Sequence, residues 1–322
     1  MTVKLTLARS LMGACSGALL LAAAVWSGGA NATTLATPNE PSHSPRPGLL
    51  AFVRDGAVFT TFGGAFEAPT RLSVPGHVDG PLSWSPDGKR LAVAVTTVNG
   101  ESHLIVGIPV ADLWEDVSPG STADYDPAWS PDGQTLAFSR AAVADGRGIW
   151  LMAADGSAPT MLTSGTFDDR SPTWSPDGLR LAFVRKGHLF RIKSDGTELQ
   201  QLLADPNFTE SQPDWSPDGR SIAFTRQQIE PSPLQLWTVR ADGSSPRLEK
   251  AFVQMARWLP GRLPSTVLVA QAHDGPRRLS ILDIANKFLT TINGGDEGEF
   301  PAWSPVQSWL SNRLVIAEVA RQ

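Results

Sequence analysis

The sequence predicts an all-β protein, a β-propeller of six four-stranded blades. Tryptophans recur at intervals of 45, 45, 41, 43 and 45 residues, and a period of about 40–45 residues is typical of one such blade. Glycine and proline together number 55, and we find no sustained helical periodicity after the first 32 residues. The six tryptophans that mark the repeats are Trp84, Trp129, Trp174, Trp215, Trp258 and Trp303.

Each repeat contains the signals of a short strand, a tight turn and further strands. In the second repeat, residues 128–130 predict a strand, and Ser-Pro-Asp-Gly at 130–133 predicts a turn, because proline presets φ and glycine accepts positive φ. Residues 136–138 and 149–152 read as the next two strands, and residues 161–162 close the blade. The same order recurs in the third and fourth repeats, whereas the repeats at Trp258 and Trp303 lose the turn aspartate.

The chain begins partway through a blade. Residues 49–54 resemble the strand that follows a turn, so the C-terminal segment 302–319 is expected to complete this blade and close the ring. Residues 49–53 and 314–318 both fit the same strand position, which leaves seven blades, or an extra closing strand, open.

The N-terminal segment has the layout of a secretory signal. Residues 1–32 contain Lys4 and Arg9, then an uncharged apolar run, then small residues that end at Ala32. We expect cleavage after Ala32, with an uncleaved anchor as the alternative, and a periplasmic or secreted location. Residues 33–47 read as a flexible tether because they lack large apolar residues, and residues 48–322 form the predicted propeller.

Charge and composition limit the expected partners. The net charge is −5, and it becomes −7 without residues 1–32, because that segment holds two basic residues and no acidic one. No block of basic residues occurs, so we expect neither nucleic acid nor an anionic membrane surface as a partner. We expect a monomer that does not insert stably into a membrane after signal cleavage.

The repeat resembles that of the TolB-like β-propeller family, which is WD-like. The motif Pro-x-Trp-Ser-Pro-Asp-Gly-x-x-Leu/Ile-Ala-Phe is nearly complete at Trp84, Trp129, Trp174 and Trp215 and partial at Trp258 and Trp303. The resemblance covers residues 48 to 322. It implies a propeller that docks a partner at the mouth of its central channel, but propellers with this repeat serve as scaffolds, peptidase domains and lyases alike.

The turn aspartates are predicted to be structural, because aspartate in such turns caps nearby backbone N–H groups. The segments that precede each motif proline are the predicted functional positions, since they lead into the innermost strands beside the channel. A ring of carboxylates there would favour a cation, a basic peptide or a polar ligand. The candidate partner-binding residues are Asp79, Asp124, Tyr125, Asp126, Asp168, Asp169, Arg170, Glu210, Glu297 and Glu299.

Two function classes fit these features. The first is a non-enzymatic exported propeller that binds an envelope or secreted protein or peptide at the channel mouth. The second is a metal-assisted lyase or hydrolase with its site in the channel. The five histidines show no metal-ligand spacing and no nucleophile elbow follows residue 32, so we predict no catalytic residue and no cofactor. Carboxylates alone can hold calcium, which keeps a channel Ca²⁺ open. A third hypothesis is a propeller that works with a catalytic domain on another chain.

Overall fold

The computed structural model describes residues 49–62, 68–78, 80–120, 123–141, 146–229, 232–259, 266–271, 278–291 and 299–303. These residues form six four-stranded antiparallel sheets, which confirms the six-bladed propeller. The one helix among them is a 3-10 turn at Pro109–Ala111. None of the described helices is long and apolar enough to span a lipid bilayer.

The strands follow the chain from blade to blade. Blade 1 contains β1 (Leu49–Arg54), β2 (Ala57–Phe62), β3 (Thr70–Arg71) and the C-terminal strand β24 (Glu299–Trp303). Blade 2 contains β4 (Ser83–Trp84), β5 (Leu91–Thr96), β6 (Ser102–Ile108) and β7 (Leu113–Asp116). Blade 3 contains β8 (Asp124–Trp129), β9 (Thr135–Ala141), β10 (Arg147–Ala153) and β11 (Thr160–Met161).

The second half of the ring repeats this order. Blade 4 contains β12 (Asp169–Trp174), β13 (Arg180–Arg185), β14 (His188–Lys193) and β15 (Gln200–Gln201). Blade 5 contains β16 (Phe208–Trp215), β17 (Ser221–Gln228), β18 (Gln235–Arg240) and β19 (Arg247–Ala251). Blade 6 contains β20 (Val253–Trp258), β21 (Thr266–Gln271), β22 (Arg278–Asp283) and β23 (Phe288–Thr291).

The strands that carry the repeat tryptophans surround the central channel. Each of these strands contacts its counterpart in the next blade, in the cyclic order β24, β4, β8, β12, β16, β20 and back to β24. β24 pairs with β1, with Leu50 opposite Trp303 and Ala51 opposite Ala302. Segment 49–54 is therefore a second strand, as predicted, whereas the competing segment 314–318 lies outside the described residues.

The core lies between the blades, because a radial sheet can bury its two faces only against its neighbours. The largest aromatic members are fully buried phenylalanines at one position of four of the six second strands: Phe52, Phe138, Phe183 and Phe224. Hydrophobic clusters join one blade to the next, as where Leu104 packs with Phe138 and Ala182 packs with Phe224.

The Ser-Pro-Asp-Gly turns have the predicted structural role. In all four, the serine Oγ donates to the aspartate Oδ1 at 2.6 Å. The same oxygen accepts a backbone N–H two residues later, such as that of Gln134 at 3.0 Å. Glycine ends each turn at positive φ, 69° at Gly133, which other residues adopt at a cost.

Antiparallel topology gives the ring two sides. We call the side with these turns the turn side. The opposite side carries the segments that precede β8, β12 and β16 together with the turns between second and third strands, and we call it the lead-in side.

Candidate functional site

A bulge recurs where the lead-in segments enter the channel wall. The residue before the motif proline has positive φ in three successive blades: 54° at Asp126, 52° at Ser171 and 51° at Gln212. The pairing register shifts at each of these points. A positive φ is unfavourable for residues other than glycine, and it occurs where the surrounding structure holds the backbone in place.

Two predicted site residues form buried ion pairs. Asp124 and Asp169 begin β8 and β12, and both are 0% exposed. Arg140 donates to Asp124 through Nε and Nη2 at 2.6 and 2.8 Å. Arg185 binds Asp169 in the same bidentate way, at 2.7 Å for both contacts. Each arginine is sixteen residues after its carboxylate, on the neighbouring second strand.

Glu210 occupies the corresponding position in blade 5. Its Oε1 accepts the Arg226 Nε–H at 3.0 Å, and its Oε2 lies 3.3 Å from Nδ1 of His188 in blade 4. Burial raises the pKa of the Glu210 carboxyl group, and the charges of Arg226 and His188 oppose this effect. Arg226 also lies 3.5 Å from Asp205, so the cluster links two blades near the lead-in side.

The arginines of these pairs stack on aromatic rings. The guanidinium of Arg185 lies 4.7 Å from the ring centroid of Phe167, and that of Arg226 lies 4.0 Å from Phe208. Arg140 is 5.0 Å from both Phe138 and Trp150. Stacking and bidentate pairing together hold each guanidinium in one orientation.

The predicted ring of carboxylates is therefore shielded at three positions. Asp124, Asp169 and Glu210 are buried, and an arginine faces each of them, so they present no accessible negative charge on the lead-in side. Sequence spacing located them beside the channel but did not reveal the arginines, which follow one strand later.

Asp126 has a different role at its bulge. Its Oδ2 accepts a hydrogen bond from the Ser139 hydroxyl at 2.9 Å and one from the backbone N–H of Ser171 at 3.0 Å. Because Ser171 belongs to blade 4, Asp126 ties blade 3 to blade 4 beside the channel.

The more exposed candidates form a surface cluster of mixed charge on blades 3 and 4. Arg170 is bidentate to Asp168, at 2.7 Å for both contacts, and the two side chains are 49% and 39% exposed. Aromatic rings flank this pair, with Arg147 4.2 Å from the ring of Tyr125 and Lys186 4.7 Å from that of Phe167. We call these residues the rim cluster: Tyr125, Arg147, Phe167, Asp168, Arg170 and Lys186.

The side chains of three candidate residues lie outside the described part of the chain. Asp79 and Glu297 lie outside the described residues. Glu299 begins β24, where its backbone is paired with Val53, but its side chain is outside the described set. Partner binding at the ten predicted residues stays a prediction.

Sequence analysis missed a charged pair in the channel wall. Asp214 precedes the motif tryptophan of blade 5, and its Oδ2 accepts the backbone N–H of Trp258 at 2.6 Å. Its side chain is half-buried. Desolvation in the channel wall raises the pKa of its carboxyl group, although the charge of Arg257 opposes this effect. The sequence contained a signal for this residue. Four of the other five repeats have an uncharged residue directly before the motif tryptophan, and the fifth has Arg257.

Among the residues described, no group of three or more His, Cys, Asp or Glu side chains could hold a metal ion.

The family model described as the TolB beta propeller domain matches residues 81–307, which is more than half of the chain. The chain belongs to the TolB beta-propeller domain family. No curated protein matches its sequence.

Solved structures agree with this TolB-type fold. TolB from Acinetobacter baumannii matches with a TM-score of 0.67 and 17% identity, over 80% of this chain and 66% of that one. A TolB from Agrobacterium tumefaciens matches with a TM-score of 0.58 and 19% identity, over 62% and 76%. A puromycin hydrolase mutant matches with a TM-score of 0.54 and 14% identity, over 75% and 43%. At these identities the likeness shows the fold alone.

Asp169→Asn is expected to destabilise the propeller by about 3 to 5 kcal/mol, because it leaves the buried Arg185 without its counter-charge. Asp168→Asn is the matched control, since the same change at a half-exposed neighbour should alter stability by less than about 1 kcal/mol. Urea unfolding of both variants measures the difference. Equal effects would contradict a structural role for the buried pair.

Asp214→Asn is expected to stabilise the protein at neutral pH. A raised carboxyl pKa means that the favourable contribution is present below the ordinary value of 3.8 and is lost as pH rises through the folded-state pKa. Asparagine keeps an oxygen for the Trp258 N–H and carries no charge. The gain should therefore vanish in acid and appear at neutral pH in urea unfolding.

Asp132→Asn is expected to lower stability at neutral pH more than in acid, which is the opposite pH dependence to that of Asp214→Asn. The Ser130 hydroxyl lowers the Asp132 pKa, so its contribution is present above 3.8 and is lost as pH falls through the folded-state pKa. A gain from Asp214→Asn that is the same in acid and at neutral pH would contradict the account of Asp214.

Proposed function

We propose that the protein is an exported, non-enzymatic propeller that binds an envelope or secreted protein or peptide on the lead-in side of its channel. The rim cluster carries this proposal. It combines two aromatic rings, three cations and one half-exposed carboxylate on adjacent blades. Tyr125, Phe167, Asp168 and Arg170 come from the segments predicted from sequence, whereas Arg147 and Lys186 belong to neighbouring strands and turns. Tyrosine and arginine are enriched where protein interfaces bind most strongly.

The architecture beneath the cluster favours binding to a preorganised surface. Arg185 connects Phe167 to the buried Asp169, and Asp126 ties the two blades together. A rim held in this way loses little conformational entropy when a partner docks. The proposed export rests on the signal-like residues 1–32.

The mixed charge changes the partner that we expect. With the buried carboxylates neutralised, the accessible charges of the rim cluster are the Asp168–Arg170 pair together with Arg147 and Lys186. Such a surface suits a partner segment that presents both acidic and apolar side chains, rather than a purely basic peptide.

The double change Asp168→Asn/Arg170→Gln is expected to reduce capture of one envelope protein about fivefold or more, because a hot-spot residue contributes more than about 1 kcal/mol. Chemical cross-linking in envelope extract, followed by quantitative mass spectrometry, measures the capture. Both side chains are partly exposed, so the variant should keep its thermal stability.

Lys193→Gln/Glu198→Gln is the matched control for this experiment. It removes another ion pair of similar exposure, 34% and 54%, on the turn side of the same blade. Equal loss with both variants, or no protein whose capture depends on the rim cluster, would contradict the proposal.

A metal-assisted lyase or hydrolase remains the second candidate from sequence, and the fold is shared with a puromycin hydrolase. Metal analysis of the purified protein separates the two. Bound metal in a one-to-one ratio, lost together with a hydrolytic or lyase activity, would favour the enzyme.

A further inference from the structure

Equivalent clefts lie between neighbouring blades on the turn side. The cleft between blades 3 and 4 is lined by residues of both Ser-Pro-Asp-Gly turns, by Trp174 and by Thr135 and Leu151. The cleft between blades 4 and 5 has the same plan, with Trp215 in the tryptophan position and a volume of 360 Å³. We call them the 3/4 cleft and the 4/5 cleft. The strand registers show which residues correspond.

The 4/5 cleft differs from its neighbour by two arginines. Arg180 stands where the 3/4 cleft has Thr135, because each residue comes directly before the buried leucine of a second strand. Arg191 stands where the 3/4 cleft has Leu151, one residue before the third-strand position that pairs with that leucine. Blade 3 is built without these charges, whereas Arg191 also joins blades 4 and 5 by donating to the Ala241 carbonyl at 2.6 Å.

Arg180 is poorly satisfied by the protein. Its nearest carboxylate oxygen, Oδ2 of Asp177, is 3.9 Å from Nη1, which is longer than a hydrogen bond. Its Nε is buried and has no acceptor among the described residues, although the side chain is 34% exposed. A guanidinium in this state gains hydrogen bonds when a carboxylate reaches it.

The tryptophans of the two clefts differ in the same sense. The Trp174 Nε1–H donates to the Ala128 carbonyl at 3.2 Å. The Trp215 Nε1–H is buried without an acceptor among the described residues, and Trp215 is only 6% exposed. The wall of the 4/5 cleft therefore contains two buried donors without an acceptor among the described residues, one on Arg180 and one on Trp215.

The 4/5 cleft also contains hydrogen-bond acceptors. Asp177 and Asp218 line it, and each uses Oδ1 for its own turn. Among the described residues, their Oδ2 atoms have long contacts alone, 3.9 Å to Arg180 and 4.0 Å to Arg220. The hydrogen bond from Ser175 lowers the pKa of Asp177, so this carboxylate is ionised at neutral pH.

We propose that the 4/5 cleft binds a small zwitterion of amino-acid size, with its carboxylate on Arg180 and Arg191 and its ammonium group on Asp177 and Asp218. Two cations and two anions line one cleft, which balances its charge and favours a ligand that carries both signs. Pro176, Pro217 and Trp215 provide an apolar wall for a side chain. The volume is in the lower part of the range of small-molecule sites, about 300 to 1,000 Å³.

Leucine, N-acetyl-leucine and leucinamide test the proposal on the full chain. Leucine carries both charges, whereas each derivative lacks one of them. We expect the Trp215 indole N–H resonance to shift with leucine in two-dimensional proton–nitrogen NMR, and both derivatives to bind at least about tenfold more weakly. The Trp174 resonance should stay in place because its donor is satisfied.

Arg180→Thr copies the 3/4 cleft, so the variant should fold, and it should weaken leucine binding at least about tenfold. Arg247→Gln is the matched control, because Arg247 is 67% exposed, faces Glu249 and does not line the cleft. The proposal is overturned if leucine causes no shift at Trp215, if N-acetyl-leucine binds as tightly as leucine, or if both variants weaken binding equally.

Discussion

Pairing of the C-terminal strand β24 with the N-terminal strand β1 is the constraint on which the rest of the propeller depends. A blade buries its faces only against its two neighbours, so an open ring would expose the hydrophobic faces of blades 1 and 6. Closure places Trp303 opposite Leu50 and brings the six inner strands into one cycle. The sites described above lie between blades or beside the channel, so they depend on how neighbouring blades pack.

Within that ring, buried and half-buried carboxylates join blades that hydrophobic packing brings together. Glu210 reaches His188 in the preceding blade, Asp126 reaches Ser171 in the next, and Asp214 holds the backbone of Trp258. These bonds are directional, so they fix the angle between blades as well as their contact. A rigid ring can then present the rim cluster on one side and the clefts between blades on the other.

The fold was largely predictable because its causes are local and repeated. The tryptophan period, the Ser-Pro-Asp-Gly turns and the alternating strands predicted six blades, and the structure confirms both them and the place of segment 49–54. The candidate site was predictable only in position. Sequence placed Asp124 and Asp168 in the same kind of segment. In the structure Asp124 is buried and paired with Arg140, whereas Asp168 is half-exposed on the rim. Such differences depend on side chains from a neighbouring strand or blade, and spacing along one segment does not reveal them.

Cysteine cross-linking of the closing strands tests ring closure most directly. Ala51 and Ala302 are Cα partners in β1 and β24, and partners in antiparallel strands are about 4.5 to 5.5 Å apart, a separation that a disulfide spans. In a Cys15→Ser background, Ala51→Cys/Ala302→Cys should form an intramolecular disulfide in the folded protein and raise its Tm. If the two thiols stay free under oxidising conditions while the protein is folded, the chain ends do not share a blade and the account is wrong.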